Sequence, residues 1–151
     1  MIKKVSKLLI VCSVLSSLLA CQNTYLTQPK NDYSTNQYYE FVHTGDVLPI
    51  DKVTTIDDRE LNLHAVGKKK LIIFFATWCS DSNRLMHALN SSPLLNDDKV
   101  EVIAIAREED KETVKAWQQA RNSNVQLAVD VDRTLYKKFA SGGFPRIITA
   151  D

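Results

Sequence analysis

Phe74-Phe75-Ala76-Thr77-Trp78-Cys79-Ser80-Asp81-Ser82 is the stretch on which the fold turns. Residues 71–76 form an unbroken apolar run of strand length, without the alternation a wet face would impose, so they predict a strand buried on both faces. Residues 80–90 then change to helical spacing, with Leu85, Ala88 and Leu89 expected on one side and Ser91-Ser92-Pro93 closing the helix. Cys79 falls at the corner between the two, at or beside the helix N-cap. A cysteine there meets free backbone N–H groups and the positive end of the helix dipole, and both favour thiolate over thiol. Cys79 is therefore the candidate nucleophile. The other reading is a structural cysteine, but those sit inside apolar runs rather than at a strand-to-helix corner behind a tryptophan.

Outward from this corner, short strands and amphipathic helices alternate. Upstream, residues 52–56 and 61–63 read as a small hairpin around Asp57-Asp58-Arg59. Downstream, residues 100–106 are a second buried strand, and Asp110 is placed to cap a helix running to about Arg121. Residues 125–129 are a third strand, Asp132 starts a short helix through Phe139, Ser141-Gly142-Gly143 is a turn, and residues 146–149 are a last strand. This order predicts an α/β fold, a central sheet with right-handed crossovers and helices on both faces. Residues 22–46 are polar, without a period of 2 or 3.6, and read as a tether whose tyrosines are candidates for docking onto the domain.

The first twenty residues differ in kind. Lys3, Lys4 and Lys7 precede residues 8–20, which hold no charge and are apolar except for three serines. That run is too short for a membrane span, which takes roughly 20 apolar residues, whereas a basic start, a short apolar segment and a small final residue make an export signal. Leu18-Leu19-Ala20-Cys21 at its end resembles the lipobox of bacterial lipoproteins. The resemblance implies cleavage before Cys21 and acylation of that cysteine, and two or more acyl chains hold a protein stably at a bilayer. A plain cleaved signal and an uncleaved anchor are the other readings. Gln22 stands where Asp often marks inner-membrane retention in that class, so the resemblance favours the periplasmic face of the outer membrane. The chain thus divides into a signal (1–20), a lipid-anchored tether (21–46) and one domain (47–151).

Charge and cysteine count narrow the function. The whole chain carries a net charge of +1, and loss of the three signal lysines leaves 16 basic against 18 acidic side chains. No basic stripe with interleaved aromatics is present, so no nucleic-acid partner is expected, and Lys68-Lys69-Lys70 reads as a solvated turn ahead of a strand. About 105 residues remain for one small core. With Cys12 in the signal and Cys21 acylated, Cys79 is left as the one thiol and has no internal partner. In an oxidising compartment such a cysteine points to a reactive thiol or an intermolecular disulfide. His43, His64 and His87 are scattered, and with a lone cysteine they show no ligand spacing, so neither a metal nor another cofactor is expected. His87 lies about two helical turns from Cys79 and reads as a surface residue rather than a base.

Phe75-Ala76-Thr77-Trp78-Cys79 resembles the active-site approach of the TlpA-type thioredoxin-like proteins, which are exported thiol-disulfide oxidoreductases. Val100-Glu101-Val102-Ile103-Ala104-Ile105 resembles their central strand, Val129-Asp130-Val131-Asp132-Arg133 their turn into the next helix, and Phe144-Pro145 their cis-proline corner. The match runs over about residues 47–151. It implies a thioredoxin-like fold, a catalytic Cys79 supported by Trp78, Ser82, Phe144 and Pro145, a cis Pro145 beside the thiol, and a backbone edge near Phe144 that pairs with a client peptide. An ordinary trans turn is the other reading of Gly142-Gly143-Phe144-Pro145.

Two departures from that family bear on function. Its active site is Cys-x-x-Cys, and here Ser82 fills the second position. A hydroxyl can donate a hydrogen bond to the Cys79 thiolate but cannot resolve a mixed disulfide, so turnover requires an outside thiol. Asp81 beside Cys79 is expected to oppose activation by like-charge repulsion, and Leu85 stands where the family often has a carboxylate. The family also continues past the cis-proline strand with another strand and a closing helix, which this sequence, ending at Asp151, lacks; the expectation is either a piece of a longer chain or a short product with an open sheet edge. Three functions follow: a lipid-anchored monothiol that exchanges disulfides with exported proteins or low-molecular-weight thiols, a redox-inactive thioredoxin-like binding module for an envelope partner, or a peroxide-reactive thiol, for which Thr77-Trp78 is only a partial match to the Pro and Thr expected upstream of such a cysteine.

Overall fold

A computed structural model of the chain describes residues 39–151. The expected signal at 1–20, the expected lipidation site at Cys21 and the expected tether as far as residue 38 lie outside the described residues. Six strands and two α-helices follow in the order β1 (Lys52–Thr54), β2 (Glu60–Asn62), β3 (Lys69–Phe75), α1 (Ser80–Asn90), β4 (Val100–Arg107), α2 (Lys111–Ala120), β5 (Leu127–Asp130) and β6 (Arg146–Ala150). The central sheet has the order β5-β4-β3-β6, with β3, β4 and β5 parallel and β6 antiparallel to β3. β1 and β2 form the expected hairpin, docked on β5 through a bridge between Thr55 and Ala128 and a bond from the Ile56 N–H to the Leu127 carbonyl at 2.9 Å.

The apolar runs explain the layering. Strands β3 and β4 are central, so both their faces are covered, and side chains alternate between two cores. Ile72, Phe74, Ile103 and Ile105 face a core completed by Val53, Leu63, Tyr136 and Phe139, from the hairpin and the 3-10 helix Tyr136–Lys138. Ile73, Phe75, Val102, Ala104 and Ala106 face the other core, which takes in Met86 and Leu89 of α1 and Val114 of α2. Both α-helices therefore cover one face, and the short helix expected from Asp132 is reduced to the 3-10 turn on the other. The Asp130 carboxylate accepts from the Leu135 and Tyr136 amides at 3.0 and 2.8 Å, so the chain is pinned at once and no longer helix starts.

Three local expectations are corrected. The buried face of α1 is Ser82, Met86 and Leu89, with Leu85 half-buried, while Ala88 is exposed. The helix turns its Ser82 edge inward because that side chain packs beneath the end of β3. Lys69 and Lys70 are not a solvated turn but the first residues of β3, and the Lys70 side chain, only 4% exposed, meets Glu101 of β4 at 3.0 Å. A lysine can sit at such a place because the neighbouring strand supplies an opposite charge. The end of the segment assigned to the tether also belongs to the domain: residues 39–41 run against 139–141, with the Phe41 N–H bonded to the Phe139 carbonyl at 2.8 Å and the Ser141 N–H to the Tyr39 carbonyl at 2.9 Å. Glu40 closes this strap by an ion pair to Arg146 at 2.8 Å. The strap forms because the backbone of 139–141 has no other strand beside it among the described residues.

Candidate active site

Cys79 is the N-cap of α1, in extended backbone geometry, and its carbonyl accepts from the Asn83 N–H at 2.9 Å. The chain leaves β3 at Phe75, turns through Ala76, Thr77 and Trp78, and enters the helix with Cys79 partly exposed at the C-terminal end of the parallel strands. Ser82 lies under it with no exposure, its hydroxyl oxygen accepting from the Ala76 N–H at 3.2 Å. The hydroxyl proton is not used in that bond, and the Ser82 hydroxyl is one of the groups that favour the Cys79 thiolate. The Cys79 thiol pKa is lowered from its ordinary value, most strongly by the Ser82 amide; burial opposes this, the Ser82 hydroxyl and the Asp81 amide lower it further, and the Asp81 carboxylate raises it least of all. Helix amides thus outweigh the repulsion expected from Asp81, whose carboxylate is paired with Arg84.

Two side chains hold the corner rigid. The buried Glu109 carboxylate, from the loop after β4, accepts from the Thr77 N–H at 2.8 Å and from the Thr77 hydroxyl. Asn83 donates to the Thr77 and Cys79 carbonyls at 2.7 and 2.8 Å while its own carbonyl oxygen accepts from the Trp117 indole at 3.0 Å. Both backbone polar groups of Thr77 are thereby satisfied without secondary structure, as a half-buried turn requires.

The second half of the site is the loop before β6. The Phe144-Pro145 bond is cis, and the loop is held by Tyr136, whose hydroxyl donates to the Gly143 carbonyl, by Arg133 on the Ser141 carbonyl at 3.0 Å and by Arg146 on the Gly142 carbonyl at 3.1 Å. Trp78, 70% exposed, meets the Phe144 ring edge to face with centroids 5.3 Å apart, which joins this loop to the Cys79 corner. Arg107 lies over Phe144, its guanidinium carbon 4.1 Å from the ring centroid. The structure therefore gathers Trp78, Cys79, Ser82, Phe144 and Pro145 into one neighbourhood. It leaves His87 exposed on the surface of α1 and places His43 and His64 in ion-pair distance of Asp46 and Asp51.

A family profile, described as the AhpC/TSA family, matches residues 44–145, a span holding both halves of this site. The chain belongs to the AhpC/TSA family. No curated protein sequence matches it, but solved structures do. A candidate protein disulfide isomerase from Bacteroides thetaiotaomicron is similar at 24% identity and a TM-score of 0.68, over 74% of each chain. The thioredoxin domain of a thiol-disulfide oxidoreductase from Bacteroides vulgatus is similar at 20% identity and a TM-score of 0.59, over 73% of this chain and 82% of its own. A thiol:disulfide interchange protein of the thioredoxin family from Chlorobium tepidum follows at 18% identity and 0.57, over 66% and 74%. The fold is thioredoxin-like, as the sequence implied.

In this AhpC/TSA-family chain, sequence reasoning missed Glu109, Asn83 and Arg107. Glu109 and Asn83 act through partners 32 and 34 residues away, Thr77 and Trp117, so no local pattern marks them. The one available signal was the pair Glu108-Glu109 directly after a buried strand, where charge is otherwise unwelcome.

Proposed function

We propose that the protein exchanges disulfides with exported proteins through Cys79 alone, held to the periplasmic face of the envelope, the outer membrane in particular, by lipid on Cys21. Cys79 at the N-cap of α1, over a buried Ser82, carries the chemical part of the reading: it is a thiol biased toward thiolate with no adjacent sulfur to pair with. Among the described residues Cys79 is the free cysteine. The Cys79 thiolate attacks one sulfur of a client disulfide, forming a mixed disulfide and releasing the other client sulfur as a thiolate. A second thiolate then attacks the client sulfur and frees Cys79. If it belongs to the client, the disulfides rearrange with no net redox change; if it belongs to a low-molecular-weight thiol, that thiol is the reductant. The thioredoxin-like fold supports this reading, as does the naming of one similar structure as a candidate disulfide isomerase. The address rests on the charged, then apolar, start and on Leu18-Leu19-Ala20-Cys21.

A binding module without turnover is the second reading, favoured by the exposed Trp78 platform and by the missing second sulfur. The peroxide reading loses ground because the Thr77 hydroxyl donates to Glu109. Refolding of a scrambled-disulfide protein in the presence of a small thiol separates the first two. The full chain is expected to speed the rearrangement, Cys79→Ser to abolish the gain, and Ser82→Cys to add dithiol reductase activity. Loss of nothing on Cys79→Ser would favour the binding module.

A further inference from the structure

We infer that Arg146 is a positioning residue of this site, holding the loop that forms the second wall beside Cys79 while Glu40 of the strap is docked on it. Residues 39–41 then work as part of the exchange unit rather than as the end of a passive tether. This deepens the exchange reading and rests on it. The loop is fixed from outside itself. Three successive carbonyls, those of Ser141, Gly142 and Gly143, are each met by a side chain from elsewhere: Arg133 at 3.0 Å, Arg146 at 3.1 Å and the Tyr136 hydroxyl. Phe144 follows directly and stands edge to face against Trp78, the neighbour of Cys79 in sequence. Where these three donors sit decides where the wall sits.

Arg146 joins this loop to the strap. β6 turns Arg146, Ile148 and Ala150 to one face and leaves Ile147 and Thr149 exposed, and Ile148 packs on the core that contains Tyr136. A guanidinium on that inward face, its side chain 18% exposed, is tolerated because its donors are met. All three of its nitrogens have a partner: Nη2 donates to the Gly142 carbonyl, Nε lies 3.5 Å from the Tyr136 hydroxyl, and Nη1 donates to the Glu40 carboxylate at 2.8 Å. The planar fork fixes these directions together, so a guanidinium released at one arm loses its alignment at the others. Among the described residues Glu40 is its one ion-pair partner. Without that carboxylate a half-buried cation is drawn toward water and off the Gly142 carbonyl.

The strap depends on the same contact in turn. Tyr39 and Phe41 are 58% and 52% exposed, so apolar burial does not hold residues 39–41 in place. The antiparallel backbone pairing with 139–141 and the single ion pair do. Because Glu40 itself is largely in water, the pair is screened, and the coupling it carries is a matter of a few-fold. The thiol is left alone by this arrangement. The groups that favour the Cys79 thiolate, the Ser82 amide and hydroxyl and the Asp81 amide, belong to α1 and not to the loop. Arg146 therefore sets the exposed Trp78 ring and the Phe144 ring against it, a surface that a polypeptide client meets and a small alkylating reagent does not.

Two readouts on the full chain test this. With fluorotryptophan incorporated, fluorine NMR follows Trp78 and Trp117, the two tryptophans of the chain, told apart by Trp78→Phe. Glu40→Gln, a change at an exposed side chain, is expected to move the Trp78 resonance and not that of Trp117. Arg146→Gln should move it further, and high salt should carry the unaltered chain toward the Glu40→Gln position. In the second readout, exchange with a disulfide-bonded peptide is expected to fall about threefold in Glu40→Gln and about tenfold in Arg146→Gln, through KM rather than kcat. Iodoacetamide labelling of Cys79 in Glu40→Gln should keep its rate and its pH midpoint. A Trp78 resonance unmoved by both substitutions, or peptide exchange and labelling that fall together, would overturn the inference. If Trp78 moves as stated while even the unaltered chain exchanges no disulfide with the peptide, the exchange reading fails and the hold of Glu40 and Arg146 on the loop stands.

Discussion

At Cys79 three effects compete: helix amides and a serine hydroxyl favour the thiolate, burial disfavours it, and Asp81 repels it weakly. The amides win because a carboxylate paired with Arg84 and open to water is screened, whereas the amides of the helix start act on the thiol at close range. Ser82 is the part of this balance a mutation can remove. Ser82→Ala is expected to slow alkylation of Cys79 at neutral pH by about three- to fivefold, the worth of one lost hydrogen bond, and to leave the Ala76 N–H without its acceptor. Rates of iodoacetamide labelling at the Cys79 peptide measure this. The placement of Cys79 and Ser82 at the helix start was legible because strand, turn and helix start are contiguous in sequence. Arg107 was not, since its meaning depends on the ring of Phe144, 37 positions on, which only the closed fold brings beneath it.

Among the elements, α1 is tied to the rest of the site by Asn83, which joins the Thr77 and Cys79 carbonyls to the Trp117 indole of α2. Asn83→Ala leaves those partly buried groups without partners and is expected to cost about 2 kcal/mol in urea unfolding. Exchange should fall with it, since the cysteine turn loses two of its fixings. The bounds of α1 and the Asp110 cap of α2, which accepts from the Thr113 N–H at 2.7 Å, were readable from local chemistry. Which side of α1 turns inward was not. Hydrophobicity alone put Ala88 inside, but Ser82 is drawn in by the Ala76 amide, and the helix rotates with it. The segment after Asp132 had the composition of a helix, yet Asp130 captured its first amides and stopped it at one turn.

For the molecule as a whole, the alternation of elements was enough to predict the α/β sheet, because parallel strands covered on both sides must read as continuous apolar runs. The exception inside that sheet is Lys70, whose ion pair with Glu101 spans β3 and β4. Breaking the pair on one side leaves a buried cation without its counter-charge. Glu101→Ala is accordingly expected to lose about 2 kcal/mol of stability, while the double replacement Lys70→Met with Glu101→Leu should come within about 1 kcal/mol of the unaltered chain. Urea midpoints of the single and double variants decide it. For the strap at residues 39–41 the sequence offered only the tyrosines of the tether as docking candidates, since nothing in Tyr39-Glu40-Phe41 marks the backbone pairing with 139–141 that attaches it next to the cis-proline loop.

The pH dependence of alkylation at Cys79, followed on the full chain at the peptide that contains it, tests the central claim most directly. An activated thiol predicts a midpoint clearly below the free cysteine value of about 8.5, moving upward in Ser82→Ala. A midpoint at or above that value, unmoved by Ser82→Ala, would contradict an active exchange thiol at Cys79.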